Sequence, residues 1–275
     1  MRNQVPNKKY KFIFQQKGVA DIFDALKDLP LSLYLARSDI RQRYRRSTLG
    51  PFWITISTGV MIGCIGVIFG GLFKSPMYEF LPFLASGLII WNFIASTIME
   101  ATTTFVGAEP IIKQLPLPLF LHCLRMVARN FYIFLHNLLI FPLVLIFVQR
   151  PLDLGSLLFF PGLIILIINL LWLSLLIGIV CARFRDLAQI VASLLQIFFY
   201  VTPIIWMPNL LPSRTSVMIL DPNPAYHLLE IVRAPLLGNI PSLTNWIVSI
   251  TIAVLGWMLS IFVFNKFRGR IAYWL

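Results

Sequence analysis

The sequence predicts an all-α polytopic membrane protein: six transmembrane helices, an N-terminal amphipathic interfacial helix, and external re-entrant helices. Three observations predict it. Six long apolar stretches alternate with short polar breaks, each near the roughly 20 residues that a helix needs to cross a bilayer. Hydrophobic residues make up 58% of the chain and charged residues only 12%, a balance that no soluble core of 275 residues requires. Positive charge also falls on one side. With the stretches alternating in direction, only Lys74, Arg150, Arg214 and Arg233 of the 23 Lys and Arg lie opposite the side that holds both termini. Basic segments stay cytoplasmic, so both termini are expected inside.

Residues 1–50 form a cytoplasmic N-terminal segment, 51–265 a six-span transmembrane domain and 266–275 a cytoplasmic tail. The spans are expected near 52–73, 80–99, 126–148, 157–182, 188–207 and 246–265. The first 50 residues are too charged for a secretory signal peptide. The net charge of +12 is placed beside the membrane, where anionic headgroups sit, and this argues against nucleic acid as a partner. Cys64, Cys123 and Cys181 lie in or at the ends of spans without metal-ligand spacing, so no disulfide and no metal are expected.

Ahead of the first span, Val19, Ile22, Phe23, Leu26 and Leu29 make an apolar stripe at helical spacing, with a break expected near Pro30. Asp21, Asp24 and Asp28 line another face, read as solvated rather than as a metal site. Then comes RQRYRRSTLGPFW, in which Arg41, Arg43, Arg45 and Arg46 crowd the membrane entrance. They are either an orientation anchor or a surface for a phosphate-bearing lipid, since Arg pairs bidentately with phosphate. Pro51 suits the first position of a new helix, and Trp53 the headgroup layer.

In the first span, Gly59, Gly63, Gly66 and Gly70 share one face, which suits either packing within the chain or a seam at a dimer interface or pore. The amphipathic loop 105–120, FVGAEPIIKQLPLPLF, has room for a short helix around Glu109 to Leu115. Its Ile111 and Ile112 mark a partner surface or a membrane-lying loop. The third span begins with a polar stripe, His122, Arg125, Arg129, Tyr132 and His136, fit for interhelical hydrogen bonds or for the wall of a hydrated path.

In the tight turn ARFRDLAQ, Arg183 or Arg185 is placed to pair with Asp186. Phe198, Phe199, Tyr200 and Trp206 close the fifth span, as a belt toward lipid or as faces along which sugar rings slide, and Pro203 is expected to bend it. The segment 208–241 contains LDPNPAYHLLEIVRAPLLGNIP. It is too apolar for a free loop and is read as re-entrant, with a short helix near Tyr226 to Arg233 and a Glu230–Arg233 pair.

The chain carries no GxxxxGK[ST] loop and so no nucleotide site of that type. None of its 11 acids stands near a span centre, where ion-coupled carriers bury a carboxylate. Nor do they converge as the metal ligands or general base of a membrane glycosyltransferase.

RQRYRRSTLGPFW, PIIKQLPLPLF, ARFRDLAQIVASLLQ, FFYVTPIIW and LDPNPAYHLLEIVRAPLLG, in that order, resemble polysaccharide-exporting ATP-binding-cassette permeases over essentially residues 30–270. The likeness is nearest to the type-2 permeases that export lipopolysaccharide O-antigen; Glu109-Pro110 departs from their proline-free approach to the loop helix.

The resemblance implies a homodimer in the bacterial inner membrane, with a separate ATPase subunit in two copies. ATP-Mg would be bound by that partner, and this chain would have neither cofactor nor catalytic residue. It implies coupling to the ATPase through Glu109, Ile111, Ile112, Lys113 and Gln114. A polyprenyl-pyrophosphate-linked polysaccharide would enter beside Arg41, Arg43, Arg45 and Arg46, and membrane lipids would surround the whole. Gly59, Gly63, Gly66, Gly70, Phe198, Phe199, Tyr200 and Trp206 would line the channel. An external gate would include Asn223, Pro224, Glu230 and Arg233. The alternatives are a capsular polysaccharide or teichoic acid exporter, a drug or small-lipid exporter of the same architecture, and an ion-coupled flippase for lipid-linked sugars.

Overall fold

The structure, a computed structural model, describes residues 18–43, 45, 50, 52–149, 151, 154–210 and 212–275. Every regular element among them is a helix: α1 (Gly18–Lys27), α2 (Leu29–Arg43), α3 (Phe52–Phe73), α4 (Met77–Ala101), α5 (Thr104–Gly107), α6 (Glu109–Gln114), α7 (Leu119–Leu138), α8 (Ile140–Val148), α9 (Phe159–Arg183), α10 (Leu187–Val201), α11 (Ser213–Leu220), α12 (Pro224–Leu236) and α13 (Leu243–Trp274). Short 3₁₀ turns cover Leu154–Leu158 and Pro208–Leu210.

Helix α1 shows how a short sequence sorts itself among three environments. Ile22 and Ala25 face the bundle and are buried, Val19, Phe23 and Leu26 are exposed apolar residues, and Lys27 is an exposed charge at the end of the helix. The expected solvated face of carboxylates is corrected at Asp21, which is fully buried because a partner described below requires it. Pro30 sits in the first turn of α2, where its missing N–H costs no helix bond, so the chain breaks between Lys27 and Leu29.

Five helical stretches are long and apolar enough to cross a membrane: 52–73, 77–101, 119–148, 155–183 and 243–274. The fifth expected span, 188–207, stops short. Helix α10 has 15 residues, a rise of roughly 22 Å against a hydrocarbon core of about 30 Å. It ends at Val201 because Thr202 precedes Pro203 and is extended (ψ 135°). The following non-helical residues Thr202, Pro203 and Ile204 are buried in protein, as irregular backbone within a membrane has to be. The last helix runs past the expected end at 265 to Trp274, because Phe264, Arg268 and Ile271 keep one face buried at helical spacing.

Helix α4 is the central strut. It packs on α3, α7, α8, α9 and α12, and most of its residues are buried. A second apolar cluster lies at the end of the bundle where the chain's two described ends meet, joining Ile22 and Ala25 to Phe120, Leu121, Leu175, Phe264 and Ile271. There the Val19 N–H donates to Asn265 Oδ1 at 3.2 Å. This is called the terminus end below, and the opposite one the far end.

Two glycines allow helices to touch backbone to neighbour. A Cβ on Gly162 would collide with the Ile231 carbonyl of α12, and one on Gly256 with the Trp172 ring. A carbonyl held in a helix cannot swing aside. Gly162→Ala is therefore expected to lower the melting temperature of the purified chain, whereas Gly63→Ala, with nothing within 4 Å of its new Cβ, leaves it unchanged. Equal melting curves for the two variants would refute the close approach of α9 to α12.

Candidate functional site

The terminus end is organised by one buried carboxylate. Helix α7 begins at Leu119 behind Pro118, which offers no capping side chain, so its first N–H groups need an acceptor from elsewhere. Asp21 of α1 supplies it, accepting from the Leu119 N–H at 3.0 Å and the Phe120 N–H at 2.9 Å. Nε and Nη2 of Arg268, on α13, each lie 2.7 Å from the same carboxylate. Arg268 is only 4% exposed and Asp21 not at all, so the pair neutralises itself away from water. One side chain thus ties α1, the start of α7 and the end of α13. The sequence gives no local sign of this, because the partners lie 98 and 247 residues away.

A second polar node sits one turn deeper. Asp39 of α2 accepts from Arg125 Nε at 2.8 Å and Nη2 at 2.5 Å, and from Arg129 Nη1 at 3.1 Å. Arg129 Nη2 also reaches Glu100 at 2.7 Å, where Asn130 Nδ2 donates at 2.8 Å. The polar stripe expected on the third span therefore faces protein at Arg125 and Arg129, and Asn130 beside it joins them. Burial alone would raise the Asp39 carboxyl. The Arg125 hydrogen bond and charge, followed by Arg129, outweigh it and hold the group below its ordinary 3.8. A carboxylate lowered in this way contributes stability above its ordinary value and loses it as pH falls through the lowered one. From about pH 5 to 8 this contribution is constant, and a melting temperature measured across that range should show no step from this cluster.

The remaining face of α2 is basic. Tyr34, Arg37, Ser38, Arg41 and Arg45 line an open hollow of about 540 Å³, and Arg43 is exposed beside it. Arg37, Arg41, Arg43 and Arg45 make no ion pair among the described residues. Arg46 lies outside the described residues. Tyr34 and Arg37 extend the site beyond the sequence reading, and the four-residue spacing of Tyr34 to Ser38 and of Arg37 to Arg41 was the available signal.

Between α4 and α7 the chain makes two short helices. In α6, Pro110 occupies an early position where its ring is tolerated, and Glu109 pairs with Lys113 at 2.7 Å. Lys113, Gln114 and Leu115 are exposed, while Ile111 and Ile112 are half-buried. Ile111 looks onto a cavity of about 200 Å³ that also receives Glu100, His122, Arg125 and Arg129, so this short helix lies directly over the second polar node.

The four glycines of α3 have different neighbours. A Cβ on Gly66 would meet Leu81 at 2.7 Å and one on Gly70 would meet Phe80 at 3.5 Å, both on α4. Gly59 is near Ile140, and Gly63 is open. On α10, Phe198 and Phe199 lie half-buried against the central core, with Phe199 6.0 Å from the Trp91 ring. Tyr200 is 65% exposed, and its carbonyl accepts from Trp206 Nε1 at 3.1 Å. The pairing expected for Asp186 is not made among the described residues. Arg183 instead lies over the Phe184 and Trp274 rings at 5.1 and 5.4 Å, because α13 extends far enough to reach it.

At the far end, Asn223 caps α12, accepting from the Ala225 and Tyr226 N–H groups, and donates to Thr202 Oγ1 at 2.9 Å. Pro224 takes the first helical position behind it. Arg233, 1% exposed, bonds Glu230 Oε2 at 2.5 Å and the Pro203 carbonyl at 2.5 Å and lies 4.2 Å over the Phe83 ring. The expected Glu230–Arg233 pair is therefore formed, and it also anchors the bend after α10. The short helix expected near Tyr226 to Arg233 is longer in the fold, running from Pro224 to Leu236.

Residues 31–237 match the family of ABC-2 type transporters. The chain is similar to a Klebsiella pneumoniae protein named O-antigen export system permease protein RfbA, at 26% identity over 88% of this chain and 93% of that one. It is similar to a second Klebsiella pneumoniae protein of that name, at 24% identity over 69% of this chain and 73% of the relative. A Myxococcus xanthus protein of the same name is 21% identical over 74% of this chain and 79% of the relative.

Proposed function

The chain belongs to the ABC-2 type transporter family, and on that premise we propose that it is the membrane permease of an ATP-driven polysaccharide exporter. Its cargo is a polyprenyl-pyrophosphate-linked polysaccharide of the O-antigen kind, moved from cytoplasm to periplasm across the bacterial inner membrane. The observation that carries this reading is the likeness to O-antigen export permeases over 88% of this chain and 93% of the relative. Nucleotide chemistry belongs to a separate ATP-binding subunit in two copies, in keeping with the lack of a phosphate-cradling glycine loop here.

Two copies of this chain form the channel. Helices α3 and α10 suit its wall because they are thinly covered: α10 has no buried residue, and Val60, Val67, Ile68 and Leu72 of α3 are exposed. The terminus end faces the cytoplasm. The pyrophosphate headgroup is received by Arg41, Arg43, Arg45 and Arg46, with Tyr34 and Arg37 adding to the same face. Helix α6 is the coupling helix seated on the ATP-binding subunit. Nucleotide-driven movement of α6 biases the bundle between two arrangements through their differing contacts.

The test is surface glycan in a strain lacking this chain. Wild-type plasmid should restore it, while a charge-removing Arg41→Ala with Arg45→Ala should lower it at least about tenfold with normal membrane insertion, since each lost phosphate contact costs a charge-assisted hydrogen bond. Ile112→Asp should release the ATP-binding subunit from the purified complex. Full surface glycan in the well-expressed double variant would remove the entry site from the reading. Export that follows the proton gradient at constant ATP would replace the whole reading with an ion-coupled flippase.

A further inference from the structure

Two hollows flank the segment Pro116–Pro118 that leads from α6 into α7. On the α13 side is an apolar groove of about 220 Å³, walled by Ile112 and Leu115 on one side and Gly269 and Ala272 on the other. On the α1 side is a polar hollow of about 290 Å³ bordered by Asp24, Lys27 and Asp28. Arg268 touches both hollows, and Asp21 fixes its guanidinium. The walls are therefore set before any partner arrives, which lowers the ordering cost of binding.

The two hollows differ in chemistry. The groove suits one aliphatic or aromatic side chain, and Leu115 on its rim stands 53% exposed. The polar hollow suits a cation: Asp24 holds Lys27 at 3.0 Å, while Asp28 is exposed and forms no ion pair among the described residues. Carboxylates are a poor match for anionic headgroups, so a lipid surface does not fit. Both hollows are continuous with α6 through Pro116.

We propose that the last turns of α13 and the polar face of α1 form a second docking footprint for the ATP-binding subunit. That subunit would place an apolar side chain in the Ala272 groove and a Lys or Arg against Asp24 and Asp28. This rests on the reading of α6 as the coupling helix and widens that contact to both ends of the chain. The far-separated segments 18–28 and 268–273 would then move with α6 as one body, held together by the Asp21–Arg268 pair.

The experiment is co-purification of the ATP-binding subunit with the full chain, comparing wild type, Ile112→Asp, Asp28→Lys and Ala272→Trp. A photoreactive phenylalanine analogue is also placed at Tyr273, which is 80% exposed beside the groove and so outside the packed core. Asp28→Lys and Ala272→Trp are each expected to reduce the retained ATP-binding subunit by about tenfold, as loss of a charge pair or a filled pocket does. The analogue is expected to cross-link to that same subunit. Wild-type retention by both variants, or a cross-link only to lipid or to a second copy of this chain, overturns the second footprint. If wild type retains the subunit and Ile112→Asp loses it, the transporter reading survives that failure. If wild type itself retains none, the transporter reading fails first. Should either variant fold poorly, the Tyr273 cross-link alone decides.

Discussion

Asp21→Ala is expected to destabilise the purified chain by about 3–5 kcal/mol, the cost of leaving one member of a buried ion pair without its partner. Three groups lose their acceptor together: the Leu119 and Phe120 N–H groups and the Arg268 guanidinium. Leu119, Phe120 and Arg268 are all buried, so water replaces the lost acceptor poorly. Arg268→Ala should cost a similar amount, and the two changes combined should cost much less than their sum, because the second removes the charge that the first stranded. A detergent melting curve for each variant makes this a double-mutant cycle. Additive losses would show that Asp21 and Arg268 act independently, and the latch between α1, α7 and α13 would have to be abandoned. Asp21→Asn is the finer probe. It keeps an acceptor for the helix start and loses only the charge, so it should fall between wild type and Asp21→Ala.

The second large effect is expected at the far end. Arg233→Met should also cost about 3–5 kcal/mol, because it strands the Glu230 carboxylate and frees the Pro203 carbonyl. The loss should be local as well as global. Beside that clamp, the Asn223 Nδ2–Thr202 Oγ1 bond at the start of α12 also holds the 202–206 bend. Cleavage of the 202–212 segment by added protease should therefore rise in Arg233→Met, at a protease dose that spares wild type. Arg233→Lys should not rescue it. A lysine carries the charge but lacks the planar fork that serves Glu230 and Pro203 together while stacking on Phe83. A Lys variant with wild-type melting and wild-type protease resistance would show that the guanidinium geometry is dispensable. On the family reading this clamp lies at the external mouth, so weakening it is expected to impair export too.

How much of this was legible beforehand varied with the range of the interaction. The first span was expected near 52–73, and a helix covers Phe52–Phe73, because a long apolar run bounded by Pro51 and Lys74 leaves little choice. Lys74 itself takes a left-handed conformation, φ 51°, and stops the helix. The short helix α6 was placed from its flanking prolines, and Pro110 proved compatible with an early position in it. The fifth apolar stretch was read too long. Hydropathy continues through FFYVTPIIW, but Thr202 and Pro203 leave the helix and are held by Asn223 and Arg233 from a distant segment.

By itself the sequence determined an all-helical chain with repeated apolar stretches and a short helix in the loop after the second of them. These follow from hydropathy, helix periodicity and the positions of proline, all of which act within a few residues. Tertiary structure alone decided which polar residues are buried and whom they meet. Asp21 reads as one of three equivalent carboxylates on an amphipathic helix, yet it is the only one of the three that is buried, where it caps α7 and pairs with Arg268. Arg233 reads as the partner of Glu230 on a short helix; its burial over Phe83 and its bond to the Pro203 carbonyl come from elsewhere in the chain. The physical reason is the same in both cases. A charge can be buried only where a partner from another part of the chain is brought within hydrogen-bonding distance, and local sequence does not encode that distance.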